Sequence, residues 1–196
     1  LNLCRKEETV HLKEDSPVLS INQVGRLFEI MTPNGIYIAE KLAIVPGPYI
    51  SSVINLLDFK IEATYWNMSS AYFKKTDPAI QYPTWFVFQD AIGKNGNQFY
   101  GFPSVDWDHP EYIRVAPDFV IDPIDEPKDR TLIPNERELA YTSQWVKDHM
   151  TGLSTEPEYT STCLIALSKI PNKELLIDFA PSYVPNHKNI VVYATG

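Results

Sequence analysis

Cysteine is scarce here: Cys4 and Cys163 are the only two among 196 residues, and neither has a Cys or His at metal-ligand spacing. No disulfide framework or zinc knuckle is indicated, no metal site is expected, and a reducing compartment becomes the default. Excess positive charge is missing too. With a formal charge of −8 and no basic stripe, the chain offers little to displace counterions from a nucleic acid or to hold an anionic membrane. No apolar run is long enough to span a bilayer, and residues 1–8 are too polar for a signal peptide, so the sequon Asn67-Met68-Ser69 is expected to be idle. Internal repeats, low-complexity tracts and hydrophobic heptads are absent. There is no Gly-x-Ser-x-Gly elbow, and His11, His109, His149 and His187 have no recognisable Ser or Cys partner, which argues against a hydrolase. Asp106 and Asp108 flank Trp107, but such acids read first as solvated turn residues. No Gly-x-Gly-x-x-Gly turn occurs either, so the backbone cradle that grips a dinucleotide's pyrophosphate is not encoded in these residues.

What is present is a foldable chain. An apolar share of 44% with 12% aromatics is globular, and the length suits one domain or one and a fraction. Residues 18–21, 27–31 and 37–45 alternate or run apolar, and Asn34-Gly35 between two of these runs is a hairpin signal because both residues tolerate positive φ. A three-stranded meander is expected. Ile50, Val53, Ile54 and Leu57 have helical spacing. Residues 61–73 are β-prone, and Thr84-Trp85-Phe86-Val87-Phe88 reads as a strand too uniformly apolar to face solvent. Gly93 to Asn97 predicts a turn into a strand over 98–102, with another over 112–116.

Pro117, Pro123, Pro127 and Pro134 exclude regular structure over most of the next stretch. Asn135-Glu136-Arg137-Glu138 is a capping-box pattern, with Asn135 accepting from the first turn and Glu138 reaching back. The helix it opens presents Leu139, Val146 and Met150 on one face and ends at Gly152; His149 suits its C-terminus by charge alone. Strands over 160–167, 175–177 and 190–193 close the chain. The fold class is α+β, a mostly antiparallel sheet with few helices. The sequence starts at Leu1 and stops at Gly196 just past an apolar run, so both ends are read as cut.

Tyr100-Gly101-Phe102-Pro103-Ser104, then Thr162-Cys163-Leu164, Leu176-Ile177-Asp178 and Asn189 to Val192, follow one another in an order that resembles the sarcosine oxidase family of FAD-dependent amine oxidoreductases, in its substrate-domain portion. The resemblance runs from about Val18 to Gly196. It implies the substrate domain of a glutathione-reductase-like FAD oxidoreductase whose nucleotide-binding core is incomplete here. Residues 1–50 would be a remnant of the FAD-binding domain, 51–180 the substrate domain, and 181–196 the start of the return into the FAD-binding domain.

The same resemblance implies site residues. Tyr100 would point its hydroxyl at the substrate carboxylate or shape the pocket; as an unrelated strand aromatic it would be core. Arg114 stands near the register of a family Lys tied to oxygen activation, and Asp118 where a His is common. Arginine cannot give up its proton, so it would supply a fixed positive charge. Pairing with Glu111 or Asp118 is its plain alternative. Gly47, in Ile44 to Tyr49, matches the glycine of a turn near the flavin, although Pro48 and Tyr49 replace the family's Ala and Trp. Cys163 falls where members carry the cysteine that forms a thioether to the flavin's 8α carbon; read alone it is a small strand hydrophobe. Ile165 removes a phenol that would face the substrate. The complete protein is thus expected to oxidise a secondary amine or an N-methyl or cyclic amino acid to the imine with reduction of dioxygen to peroxide. It would be cytoplasmic, or peroxisomal in a eukaryote, and would take small-molecule amines rather than nucleic acid or membrane as partners. A non-catalytic module derived from that domain and lacking flavin is the alternative.

Overall fold

The structure is a computed structural model and describes residues 2–91, 96–105, 109–169 and 175–194. In chain order its strands are β1 (Ser20–Val24), β2 (Leu27–Thr32), β3 (Gly35–Ala39), β4 (Leu42–Ile44), β5 (Ala63–Lys74), β6 (Trp85–Val87), β7 (Phe99–Phe102), β8 (Tyr112–Pro117), β9 (Pro123–Ile124), β10 (Tyr159–Ser168), β11 (Leu176–Phe179) and β12 (Ile190–Ala194), with helices α1 (Ile50–Ile54) and α2 (Glu136–His149). All strand pairs but one are antiparallel, and helices are few, so the α+β class holds. The chain forms two compact units, Leu1–Ile61 with Leu175–Ala194, and a second built on Glu62–Glu174.

In the first unit β1, β2 and β3 form the expected meander. Its second turn differs in detail: Thr32 pairs with Gly35, so Pro33 and Asn34 occupy the loop, and Gly35, at φ 137°, opens the next strand. Proline's fixed negative φ forbids the turn in which both central residues are left-handed. The apolar run over 37–45 does not form one strand. It breaks after Ala39, and β4 leaves to pair in parallel with β12, which β11 flanks on the other side. Ile50 and Ile54 on α1 are fully buried with Phe28, Phe59, Ile190 and Val192, the core that the helical spacing anticipated.

The second unit is a six-stranded sheet in the order β10-β5-β8-β7-β6, with β9 also on β5. Strict alternation sorts its residues. Ala71, Phe73, Phe99, Ile113 and Val115 point to the side covered by α2, where Trp145 and Val146 complete a core. Phe99 stacks on Trp145 with ring centroids 4.6 Å apart, and Trp85 stacks on the same indole at 5.4 Å. The β6 run is not buried on both sides, contrary to the sequence reading. Phe86 and Phe88 are exposed, because β6 is the edge strand and only Trp85 and Val87 pack toward α2. The expected turn at Gly93 and the Asp106–Asp108 stretch lie outside the described residues.

α2 begins as expected: the Asn135 side chain accepts from the amides of Arg137 and Glu138. Glu138 does not reach back, however. Its carboxylate accepts from the Ser69 amide at 2.7 Å and from the Trp66 indole, while the Asn135 amide donates to Ser69 Oγ at 2.8 Å. The reason lies in β5. On one edge β9 pairs with residues 65–66 and β8 with 71–74, so residues 67–70 lack a strand neighbour there, and the first turn of α2 fills the gap. Asn67 of the sequon is buried in this gap and donates to the Thr131 carbonyl.

Candidate functional site

The face of this sheet opposite α2 carries most of the residues that the sequence singled out. Cys163 on β10 pairs with Met68 on β5, Tyr72 on β5 pairs with Arg114 on β8, and Phe102 and Tyr100 on β7 pair with Arg114 and Ala116. Cross-strand partners share a face, and so do residues two apart on a strand. Tyr100, Arg114 and Cys163 therefore stand on one surface. The Tyr100 hydroxyl donates to Met68 Sδ at 3.2 Å, and Met68 is the cross-strand partner of Cys163. Trp66, Met68 and Ala116 form a small buried cluster beneath them, with Tyr100 and Ile165 packed against it.

Electrostatics link the same residues. Burial raises the Tyr100 hydroxyl above the ordinary tyrosine value; the Arg114 charge pulls it down, and Asp118 and Cys163 push it up. Tyr100 is thus a phenol, a hydrogen-bond donor, throughout the neutral range. Arg114 donates through Nη2 to the buried Ser70 Oγ at 2.8 Å, and its guanidinium carbon lies 5.4 Å from the centre of the Phe102 ring. It makes no ion pair with Glu111 or Asp118 among the described residues. The Cys163 thiol is exposed rather than buried, with only a 3.9 Å contact to its neighbour's carbonyl. The plain reading of a small strand hydrophobe does not describe it.

Aromatic rings extend the surface. Phe86 stacks against Tyr100 with centroids 6.1 Å apart, and Tyr100 meets Phe102 edge-on at 5.8 Å. Gly101 makes this possible: on its far side the Trp85 indole lies across the strand, where a Cβ would collide with it and with the Arg114 carbonyl oxygen at 2.7 Å. Beside Arg114 a cavity of about 330 Å³ opens, lined by Tyr72, Thr84, Phe102, Pro103, Val105 and Tyr112 as well. Neither Tyr100 nor Cys163 lines it. The hydroxyl of Tyr112 donates to Glu158 at 2.6 Å, a bond that lifts its ionisation well above the ordinary range.

Gly47 belongs to the first unit. It opens a short 3-10 turn, Gly47–Tyr49, with a left-handed φ of 58°, and is exposed. Sequence reasoning missed Ser70, Tyr72 and Tyr112 beside Arg114. Two adjacent serines at 69 and 70 inside an otherwise bulky strand were the available signal, since buried hydroxyls in a strand need partners.

No family model matches the chain. A curated protein of Dictyostelium discoideum named as a bifunctional amine oxidase is 27% identical over 165 residues, 81% of this chain and 15% of that protein. Among solved structures, NikD, an unusual amino acid oxidase essential for nikkomycin biosynthesis, superposes with a TM-score of 0.78 at 29% identity over 92% of this chain and 46% of its own. The resemblance to amino acid oxidases holds in sequence and in fold. L-proline dehydrogenase of P. horikoshii, with a TM-score of 0.68 at 13% identity over 95% of this chain and 46% of its own, shows the fold alone. This chain therefore spans less than half the length of these relatives, and corresponds to the substrate-domain portion of such an oxidase.

Proposed function

We propose that this chain supplies the substrate-side face of an FAD-dependent oxidase acting on a secondary amine or an N-methyl or cyclic amino acid. The observation that carries the reading is the convergence of Tyr100, Arg114 and Cys163 on one face of a sheet, in a chain whose fold resembles that of an amino acid oxidase. The face fits the ring end of the cofactor: it offers exposed aromatic surface at Phe86 and Phe102 and an accessible thiol at Cys163. The pyrophosphate end has no such fit. α1 is only five residues long, and the first amides of α2 are already taken by Asn135.

FAD, when bound, supplies the two-electron acceptor that turns the amine into an imine and delivers the electrons to dioxygen as hydrogen peroxide. The chain's own residues bind and orient. Tyr100 exchanges a weak sulfur acceptor for a substrate carboxylate, and its raised ionisation keeps its proton available for that bond. Arg114 holds a permanent positive charge against Ser70 and Phe102 and takes no part in proton transfer. Phe86 and Phe102 exclude water. Cys163, exposed on β10, is the residue that would hold the flavin covalently, and Gly47 would be assigned to the cofactor on the resemblance alone.

The test uses a complete protein containing this sequence, purified and examined in visible light before and after acid precipitation. Yellow colour retained in the pellet and released by Cys163→Ala supports a covalent flavin; colour left in the supernatant supports FAD without the thioether. A colourless protein that gains no colour with added FAD overturns the oxidase reading and favours a non-catalytic module.

A further inference from the structure

We propose that Gln89, His149 and Trp145 form a proton-sensitive latch: with His149 neutral it pins the segment after β6 to α2, and a proton on His149 Nε2 releases it. The three groups close a ring of hydrogen bonds. The Trp145 indole donates to Gln89 Oε1 at 2.7 Å, the Gln89 amide nitrogen faces His149 Nε2 at 3.5 Å, and His149 Nδ1 lies 2.9 Å from the Trp145 carbonyl oxygen. Each role is forced. An indole N–H only donates, so it fixes which way the Gln89 amide points; the amide nitrogen, a donor, then needs an acceptor at Nε2, and Nδ1 must carry the hydrogen that the carbonyl accepts. Only the neutral imidazole completes the ring. The imidazolium sets N–H against N–H, and turning the Gln89 amide over moves the same conflict to the Trp145 indole.

The imidazole stays where it is. It stacks on the Trp145 indole with centroids 4.9 Å apart, and the C-terminal end of α2 favours a positive charge, so Gln89 is the partner that yields. On α2 itself Asp148 is held through both oxygens by Gln144, and Lys147 adds like charge. Beyond the helix, Tyr82 donates to the Thr151 carbonyl, and Asp90, next to Gln89 on the facing segment, makes no ion pair with His149 among the described residues. Release has a consequence because β6 is a three-residue edge strand, paired with β7 alone among the described strands. Gln89, two positions past Val87, is its polar tether to α2. Phe86 on β6 stacks against Tyr100, so, on the reading of Tyr100 as a site residue, a loosened β6 uncovers the site in mild acid.

Histidine changes charge between about pH 5 and 8, so amide hydrogen exchange of the 196-residue chain across that range, followed by NMR, tests the latch without flavin or turnover. After correction for the intrinsic pH dependence of exchange, the amides of residues 85–89 should exchange about fivefold faster at the acid end, with the midpoint of the His149 ring signals, while those of β8 stay unchanged. His149→Phe keeps a ring on Trp145 and should remove the dependence. Gln89→Glu should invert it, since a carboxylate accepts from both the indole and the imidazolium and so holds β6 more tightly in acid. Exchange at 85–89 that ignores the His149 midpoint, or a Gln89→Glu chain that loosens in acid as the parent does, would overturn the proposal. Either failure leaves the oxidase reading standing, because neither Gln89 nor His149 belongs to the Tyr100–Cys163 surface.

Discussion

The Glu138 carboxylate, in the first turn of α2, accepts the amide hydrogen of Ser69 in the gap between β9 and β8, where β5 has no strand beside it on that edge. A helix side chain thus takes the place of a missing strand. Since Arg114 donates to Ser70, this bond braces the strand against which the guanidinium rests.

Glu138 is 1% exposed, and burial raises its ionisation above the usual carboxylate range even though Trp66 and Ser69 donate to it. For an acid with a raised folded-state value, the folded form holds the proton more tightly than the unfolded one. Stability from this group should therefore fall as pH rises from the unfolded carboxylate value through the raised one. Denaturation from pH 4 to 8 should show that slope, and Glu138→Gln should flatten it. The variant should also lose about 1–3 kcal/mol, because an amide cannot accept from both donors as a carboxylate does. A slope that persists unchanged in Glu138→Gln would assign it to another group.

A methyl group at position 101 tests why the Tyr-Gly-Phe segment contains glycine. Any Cβ there would meet the Trp85 ring and the Arg114 carbonyl, and Trp85 in turn stacks on Trp145. Gly101→Ala should cost about 1–3 kcal/mol by overpacking. Its tryptophan fluorescence should change as Trp85 is displaced. An unchanged spectrum and melting curve would mean that the indole does not lie across β7.

Much of this fold could be read from local signals. The bulky alternation of β5, β8 and β10 and the Asn135 cap of α2 are short-range properties, and the structure has them where the sequence put them. The pairing of β4 with β12 was not legible, because nothing in three residues announces a partner about 150 positions away. Glu138 misled for a related reason. Its spacing from Asn135 satisfies a capping box, but a buried gap in a remote strand competes for its carboxylate and wins two donors instead of one. At the site, the motif residues were visible one by one, while Ser70 and the cavity depend on strand register, which alternation alone does not specify.

Tyr100→Phe separates recognition from stability. The hydroxyl's partner is a thioether, a weak acceptor, so its loss should cost less than about 1 kcal/mol in the folded chain. If Tyr100 binds the substrate carboxylate, the complete flavin-loaded protein should lose about tenfold or more in kcat/KM, carried mainly by KM. Wild-type levels of kcat/KM would remove Tyr100 from the site.

Thiol chemistry gives the last check. Both cysteines are exposed, so a disulfide reagent should titrate two thiols in the folded chain before any denaturant is added. Cys163→Ala should remove one of them and change stability by no more than about 0.5 kcal/mol, the usual range for surface positions. In a complete flavin-bearing protein the same reagent should find Cys163 blocked, and free again when FAD is withheld during expression. Reactivity that is identical with and without flavin would rule out the thioether, whereas protection at Cys163 alone would tie the cofactor's ring edge to β10.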